Sequence, residues 1–280
     1  MDFYKYHGLG NDYIVIDPNK TDLELTSERI RLICHRNFGI GSDGILHGPL
    51  PGNDLALRIY NPDGTEAEKS GNGIRIFSRY LVEAGYVTGK NFLLQTAGGV
   101  VKVAVLRDDA SLITVDMGTV SFHSEDIPVT GESREVIDEE LNINDITHRI
   151  TCLTVGNPHC VIPCDTVSEE YTRRIGPLIE NHSHFPRRIN VQFLKVLDRE
   201  NIRIEIWERG AGYTLASGSS SCAAAAAAHR LGLVNGTVQV HMPGGDIGIA
   251  IEGSRVQMTG TVNSVCSGRF SEELWATLGK

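Results

Sequence analysis

The chain repeats itself, and the repeat constrains what it can fold into more than any other feature. Ser70-Gly71-Asn72-Gly73 and Ser217-Gly218-Ser219-Ser220 each follow a glycine-containing polar loop and open a helix-like stretch. The first stretch runs from Ile74 to Ala84 and stops at Gly85; the second runs from Ser221 to Leu231 and stops at Gly232, so serine and glycine are 15 residues apart in both. Asn61 and Glu208 each stand nine residues before their serine, at the end of a strand-like run. Asn11 precedes Ser70 by 59 residues, and Asn157 precedes Ser217 by 60. Gly98-Gly99 and Gly244-Gly245 follow in turn. Five landmarks in one order imply two copies of a single unit, about 147 residues apart. We therefore expect two pseudo-symmetric halves, 1–118 with 264–280 and 119–263, joined near Gly118 to Ser124, with one small-molecule site where the halves face each other.

Alternating apolar residues predict strands over 100–106, 112–117, 238–242 and 247–251. Turns are expected at Asn61-Pro62-Asp63-Gly64 and Pro243-Gly244-Gly245. The run Ala223 to Ala228 combines high helix propensity with small side chains, which suits a helix wrapped tightly by strands. Ser27 to Cys34 and Ser168 to Glu180 read as outer helices, and Ser271 to Leu278 as a capped helix returning to the first half. The fold class expected is α+β.

Composition matters here for what it excludes. A formal net charge of −9 argues against a nucleic-acid partner, because phosphate binding needs a basic face, and the Arg187-Arg188 pair reads as a solvated turn. No apolar run approaches the ~20 residues of a membrane helix, and the first residues lack the basic and apolar regions of a signal peptide. The six cysteines show no disulfide framework, so reduced thiols and a cytoplasmic location are expected. Cys160, Cys164 and His159 lack a second ligand pair at zinc spacing, and no metal is expected there.

A serine-glycine pair at a helix start offers backbone N–H groups and the positive end of the helix dipole, which suits a carboxylate. The commoner role of such a serine is an ordinary N-cap. The duplication shifts the balance. A pair of proton carriers on opposite sides of one carbon is what a racemase needs: one removes the α-proton and the other protonates the opposite face. Helix N-termini would stabilise the developing enolate-like charge.

At these residues the sequence resembles the diaminopimelate epimerase family. The resemblance rests on His7 to Asp12, Gly39 to Gly44, Asn61 to Glu66, Gly71 to Arg75, Gly156 to His159, Asn190-Val191 and Glu208 to Gly212, which span nearly the whole chain. It implies two α+β domains, each a curled, mostly antiparallel sheet around a central helix. It further implies an isomerase that needs neither pyridoxal phosphate nor metal, converts LL- to meso-diaminopimelate for lysine and cell-wall precursor synthesis, and often dimerises. Backbone N–H groups of Gly71, Asn72, Gly218 and Ser219 would hold the reacting carboxylate. Asn61, Asn157, Asn190 and Arg209, helped by Glu208, would read the distal end, and Asn11 would lie beside the reacting centre.

The family's two catalytic cysteines are serines here, Ser70 and Ser217. A thiol is readily tuned to thiolate, whereas a hydroxyl needs a neighbouring base. His159 is a candidate base for one serine and Glu208 for the other. Lys69, Tyr213 and Ser219-Ser220-Ser221 also differ from the family pattern, and a Tyr213 that entered the pocket would favour a shorter or less charged substrate. The same scaffold also admits a racemase or isomerase of another amino acid, or an amino-acid-binding homologue without activity.

Overall fold

The computed structural model describes residues 2–52 and 55–279. The chain divides into two compact units: an N-terminal unit of residues 1–115 with 260–280, and a C-terminal unit of residues 116–259.

The N-terminal unit begins with a hairpin of β1 (Asp2–Gly8) and β2 (Asn11–Ile16). Helix α1 (Ser27–Cys34) then carries the chain to β3 (Ile45–His47), which lies parallel to β2. Strands β4 (Arg58–Tyr60) and β5 (Glu66–Ala67) add antiparallel pairs. Helix α2 (Gly71–Glu83) follows, and then β6 (Asn91–Thr96), β7 (Gly99–Val105) and β8 (Leu112–Thr119) form an antiparallel meander that reaches the unit boundary. The apolar side chains Ile74, Ile76, Phe77, Tyr80 and Leu81 of α2 are all buried, and the helix packs on β1 and β2.

The C-terminal unit follows the same order. β9 (Glu139–Ile143), β10 (Ile146–Thr154) and β11 (Pro158–Pro163) are antiparallel; α3 (Glu169–Glu180) leads to β12 (Asn190–Val196), parallel to β11. β13 (Asn201–Glu208) and β14 (Gly212–Thr214) precede α4 (Gly218–Arg230). β15 (Thr237–Met242), β16 (Gly245–Glu252) and β17 (Arg255–Thr261) close the set. Strand for strand and helix for helix, β10 to β17 retrace β1 to β8. The alanine run lies inside α4, and all six alanines are buried under β10 to β13, β15 and β16. Small side chains let the strands close on the helix backbone, and the bulk that fills the unit comes from strand residues such as Ile204 and Ile206.

Back in the N-terminal unit, β18 (Asn263–Arg269) pairs with β1 and gives the sheet order β18-β1-β2-β3-β4-β5. Helix α5 (Glu272–Leu278), capped by Ser271, buries Leu278 in the cluster that holds Ile14, Ile30 and Ile33. Phe270 stacks on Phe3 with ring centroids 5.4 Å apart. Among the described residues, no helix is long and apolar enough to cross a membrane.

Both central helices begin three residues earlier than the sequence pattern suggests. Gly71-Asn72-Gly73 and Gly218-Ser219-Ser220 are poor helix formers, but they form the first turns because Ser70 and Ser217 cap them.

Candidate active site

Each unit carries one serine at the head of its central helix. Both serines have extended backbone angles, Ser70 at φ −138° and Ser217 at φ −147°. The Ser70 hydroxyl accepts from the Gly73 N–H at 3.1 Å, and Ser217 accepts from the Ser220 N–H at 3.4 Å. The two preceding N–H groups in each helix, those of Gly71 and Asn72 and of Gly218 and Ser219, have no intrahelical acceptor by the geometry of a helix start. They form the kind of cradle that suits a carboxylate oxygen.

In the N-terminal unit the tip of the β1–β2 hairpin meets this helix start. Asn72 donates to the side-chain oxygen of Asn11 at 3.1 Å and accepts from the buried Arg75 guanidinium at 2.7 Å. Asn11 in turn donates to Asp43 at 3.0 Å. Arg36 bridges Asp12 and Asp43 at 2.9 and 2.7 Å, and Lys5 reaches Asp12 at 2.9 Å. Burial pushes the Asp12 carboxyl up, but Arg36 and Lys5 outweigh it and hold the group below the ordinary carboxylate range. Asn61 stands apart from this network. It directly follows β4, and its amide donates to Thr65 at 3.0 Å, closing its own turn.

In the C-terminal unit Asn157 occupies the place of Asn11, and Ser219 that of Asn72. Asn157 donates to the Ser219 hydroxyl at 3.4 Å, so the hairpin-to-helix contact recurs. The Ser219 hydroxyl lies 3.5 Å from that of Ser217. His159 is fully buried, and its Nε2 lies 2.9 Å from the Asn157 side-chain oxygen. Burial, aided by the Arg209 charge and opposed by Gln192, pushes its pKa down to about 3, so the imidazole is neutral at physiological pH. Within its own unit His159 is linked to Ser217 through Asn157 and Ser219.

Glu208 ends β13 beside Ser217. Burial raises its pKa, and the Ser217 and Thr214 hydroxyls next to the carboxylate offset part of that rise. A carboxylate next to a serine hydroxyl can receive its proton.

Asn190 and Arg209 are joined to each other. Asn190 accepts from the Arg209 backbone N–H at 2.9 Å and donates to the Pro158 carbonyl at 2.8 Å, tying the two loops together. The Arg209 side chain is exposed and donates to the Arg187 carbonyl at 3.2 Å.

Glu180, which the sequence reading treats only as the end of an outer helix, anchors the same loop. It is buried and accepts from Gly210 N–H at 2.9 Å, Trp207 Nε1 at 2.7 Å and Arg188 at 3.2 Å. Gly176 of α3 lets Trp207 approach, since a methyl at this position would come within 2.6 Å of the indole. Glu180→Ala is expected to destabilise the protein by about 1–2 kcal/mol, because it removes the acceptor of the Trp207 indole N–H and the Gly210 N–H. It should also raise KM more than it lowers kcat, since Arg209 loses its mooring. Urea denaturation and steady-state kinetics check both, and an unchanged KM would separate Arg209 from substrate binding.

Tyr213 lies on the other face of this sheet. It pairs with Trp207, donates to Glu205 at 2.6 Å and carries the Arg173 guanidinium 4.4 Å above its ring. Successive residues of β13 point to opposite faces, so Tyr213 and Glu205 face α3 while Glu208 faces α4. Burial and the Glu205 carboxylate raise the phenol's pKa further. Tyr213 therefore packs outside the serine centre.

The repeat contains a signal that the sequence reading did not use. Tyr13 follows Asn11 by two residues, as His159 follows Asn157. The Tyr13 hydroxyl lies 3.2 Å from that of Ser70.

The sequence profile of diaminopimelate epimerase matches residues 3–123 and 151–265. Diaminopimelate epimerase 2 of Nostoc sp. is 56% identical over 279 residues, covering 99% of this chain and 98% of that protein. The diaminopimelate epimerase of Moorella thermoacetica is 42% identical over 277 residues, covering 96% and 99%. Among solved structures, a hydroxyproline epimerase from Agrobacterium vitis superposes with a TM-score of 0.68 at 15% identity, covering 96% of this chain and 91% of that one. A Bacillus anthracis phenazine biosynthesis protein of the PhzF family gives a TM-score of 0.67 at 15% identity, with 97% and 99% covered. These structures share the fold. Profile and full-length relatives together place the sequence: the chain belongs to the diaminopimelate epimerase family.

Proposed function

We propose that the protein inverts one α-carbon of LL-diaminopimelate to give the meso isomer, with Ser70 and Ser217 as the two proton carriers. The observation that carries this reading is the duplicated serine at the head of each central helix, with Glu208 beside Ser217. In one direction Ser217 takes the α-proton while passing its own to the Glu208 carboxylate, and Ser70 protonates the opposite face. The helix-start N–H groups at Gly71, Asn72, Gly218 and Ser219 hold the substrate carboxylate and the enolate-like charge that develops on it. Asn11 and Asn157 brace these helix starts, and His159 assists by fixing Asn157. Arg209, with Asn61, Asn157, Asn190 and Glu208, reads the distal amino-acid end. An arginine grips a carboxylate bidentately, and Glu208 can pair with an ammonium.

The test is solvent-deuterium exchange. The protein is incubated with LL-diaminopimelate in D₂O, and the α-proton signal and the LL-to-meso ratio are followed by NMR. Loss of the α-proton with formation of the meso isomer is expected. Saturable binding without exchange would overturn catalysis and leave an amino-acid-binding protein; exchange with another amino acid only would move the substrate.

A further inference from the structure

We infer that Tyr13 is a positioning residue that relays a proton to Ser70, as Glu208 does for Ser217 from the opposite chemical side; this rests on the two-serine mechanism proposed above. The two serines are not served alike. Ser217 stands beside a carboxylate, an acceptor for its proton. Ser70 stands 3.2 Å from a phenol, whose O–H can donate. One lone pair of the Ser70 oxygen already accepts from the Gly73 N–H. Either hydroxyl can donate across this contact; the relay assigns the Tyr13 O–H as donor to the other lone pair, which turns the serine's own proton outward, available to a carbanion.

The phenol is held in place. Tyr13 is buried in β2, opposite Tyr6 of β1. Gly44 leaves room for its ring: a methyl at position 44 would come within 2.7 Å of Tyr13 Cε1. The corresponding residue of the C-terminal unit, His159, spends its Nε2 on Asn157 instead. The position that reaches the serine hydroxyl in one unit thus braces an asparagine in the other.

The protons balance. As the α C–H bond breaks, its electron pair stays on the carbon, the proton goes to Ser217 Oγ, and the Ser217 proton goes to Glu208. The carbon's electron pair then takes the Ser70 proton on the other face, and the Tyr13 proton moves to Ser70 Oγ. Both serines end as hydroxyls, with Glu208 as the acid and Tyr13 as the phenolate. The reverse reaction starts from that form and restores the first, as does proton exchange with water. The negative charge rests on a delocalised phenolate rather than on a more basic serine alkoxide.

Tyr13→Phe keeps the ring and removes the relay. The Y13F protein should lose roughly 100-fold in kcat, the size of a general-acid contribution, with KM within about twofold by the uniform-binding criterion and an unchanged thermal melt. It should still wash out the α-proton of the isomer that faces Ser217. In an S70C background the Y13F change should cost little, because a thiolate carries the charge itself. Wild-type activity with Y13F at the wild-type rate overturns the relay alone. Equal losses in both backgrounds also overturn it and leave Tyr13 a packing residue. A wild-type protein that neither exchanges nor epimerises overturns the functional reading, and the relay with it.

Discussion

The Ser70→Ala and Ser217→Ala proteins, each incubated with diaminopimelate in D₂O, are expected to stop epimerising while each keeps one half of the exchange reaction. A two-base inversion needs one group to take the α-proton and another, on the opposite face, to return one. Removing either group should lower epimerisation by roughly 100- to 10,000-fold, the span of general acid–base contributions. The surviving serine can still take and return a proton on its own face: Ser217 with Glu208 as acceptor, and Ser70 in the fraction of molecules whose Tyr13 has lost its proton to water, so exchange by the Ser217→Ala protein should be the slower of the two. One variant should therefore wash out the α-proton of the LL isomer only, and the other that of the inverted centre of the meso isomer only. Complementary, single-isomer exchange is a signature that misfolding cannot imitate, because a damaged protein loses both halves. If either variant exchanged both isomers, one serine would be acting on both faces and the two-base assignment would fall. Alanine also removes the helix cap, at a cost of about 1 kcal/mol, so thermal melts should accompany the exchange data.

The two matching helix starts were legible in the sequence, because a duplication turns one weak signal into two that check each other. A serine before a helix is by default a cap, and both serines are caps. What sets them apart from ordinary caps is their repeated context. The local elements were also legible where one periodicity dominated, as in the alternating β15 and β16 and the alanine run of α4. The parallel pairings of β2 with β3 and of β11 with β12 were not, since they join segments separated by a helix and depend on tertiary packing. Side-chain assignments were harder still. An asparagine can bind a zwitterion or brace a loop with the same atoms, and its sequence context does not distinguish the two. In this structure Asn61 closes a turn and Asn190 joins the loops of Pro158 and Arg209, contacts that also fix the side chains which the proposed function turns toward the substrate. Glu180 reads only as the last residue of an outer helix, yet it is buried, where a tryptophan and a backbone N–H meet it. Tyr213 could not be assigned to a face of its sheet until its pairing with Trp207 was known.

Glu208→Gln should separate activity from stability, moving them in opposite directions. Burial raises the carboxyl's pKa above its unfolded value, so the folded state favours the protonated form. The stability this group contributes is fully present below the unfolded pKa of about 4.3 and is lost as pH rises through the higher folded value. At neutral pH the ionised carboxylate is therefore a cost to the fold. Glutamine has the same shape, carries no charge and still accepts from the Ser217 hydroxyl. The E208Q protein should melt at a higher temperature than wild type at pH 7, and the difference should shrink as pH falls toward 4. Catalysis should go the other way. An amide cannot take the serine proton, so kcat should fall by roughly 100-fold or more. The acidic limb of the wild-type kcat/KM profile, set by ionisation of Glu208 above the ordinary glutamate range, should disappear with it. A proton-accepting residue held at some expense to the fold is a common stability–activity trade-off. If E208Q melted lower at neutral pH, the carboxylate would be stabilising through contacts with its neighbours, and its ionised form would cost the fold nothing. If E208Q instead kept its activity, Ser217 would draw on another base, and the neutral, buried His159, linked to it through Asn157 and Ser219, would be the next residue to replace.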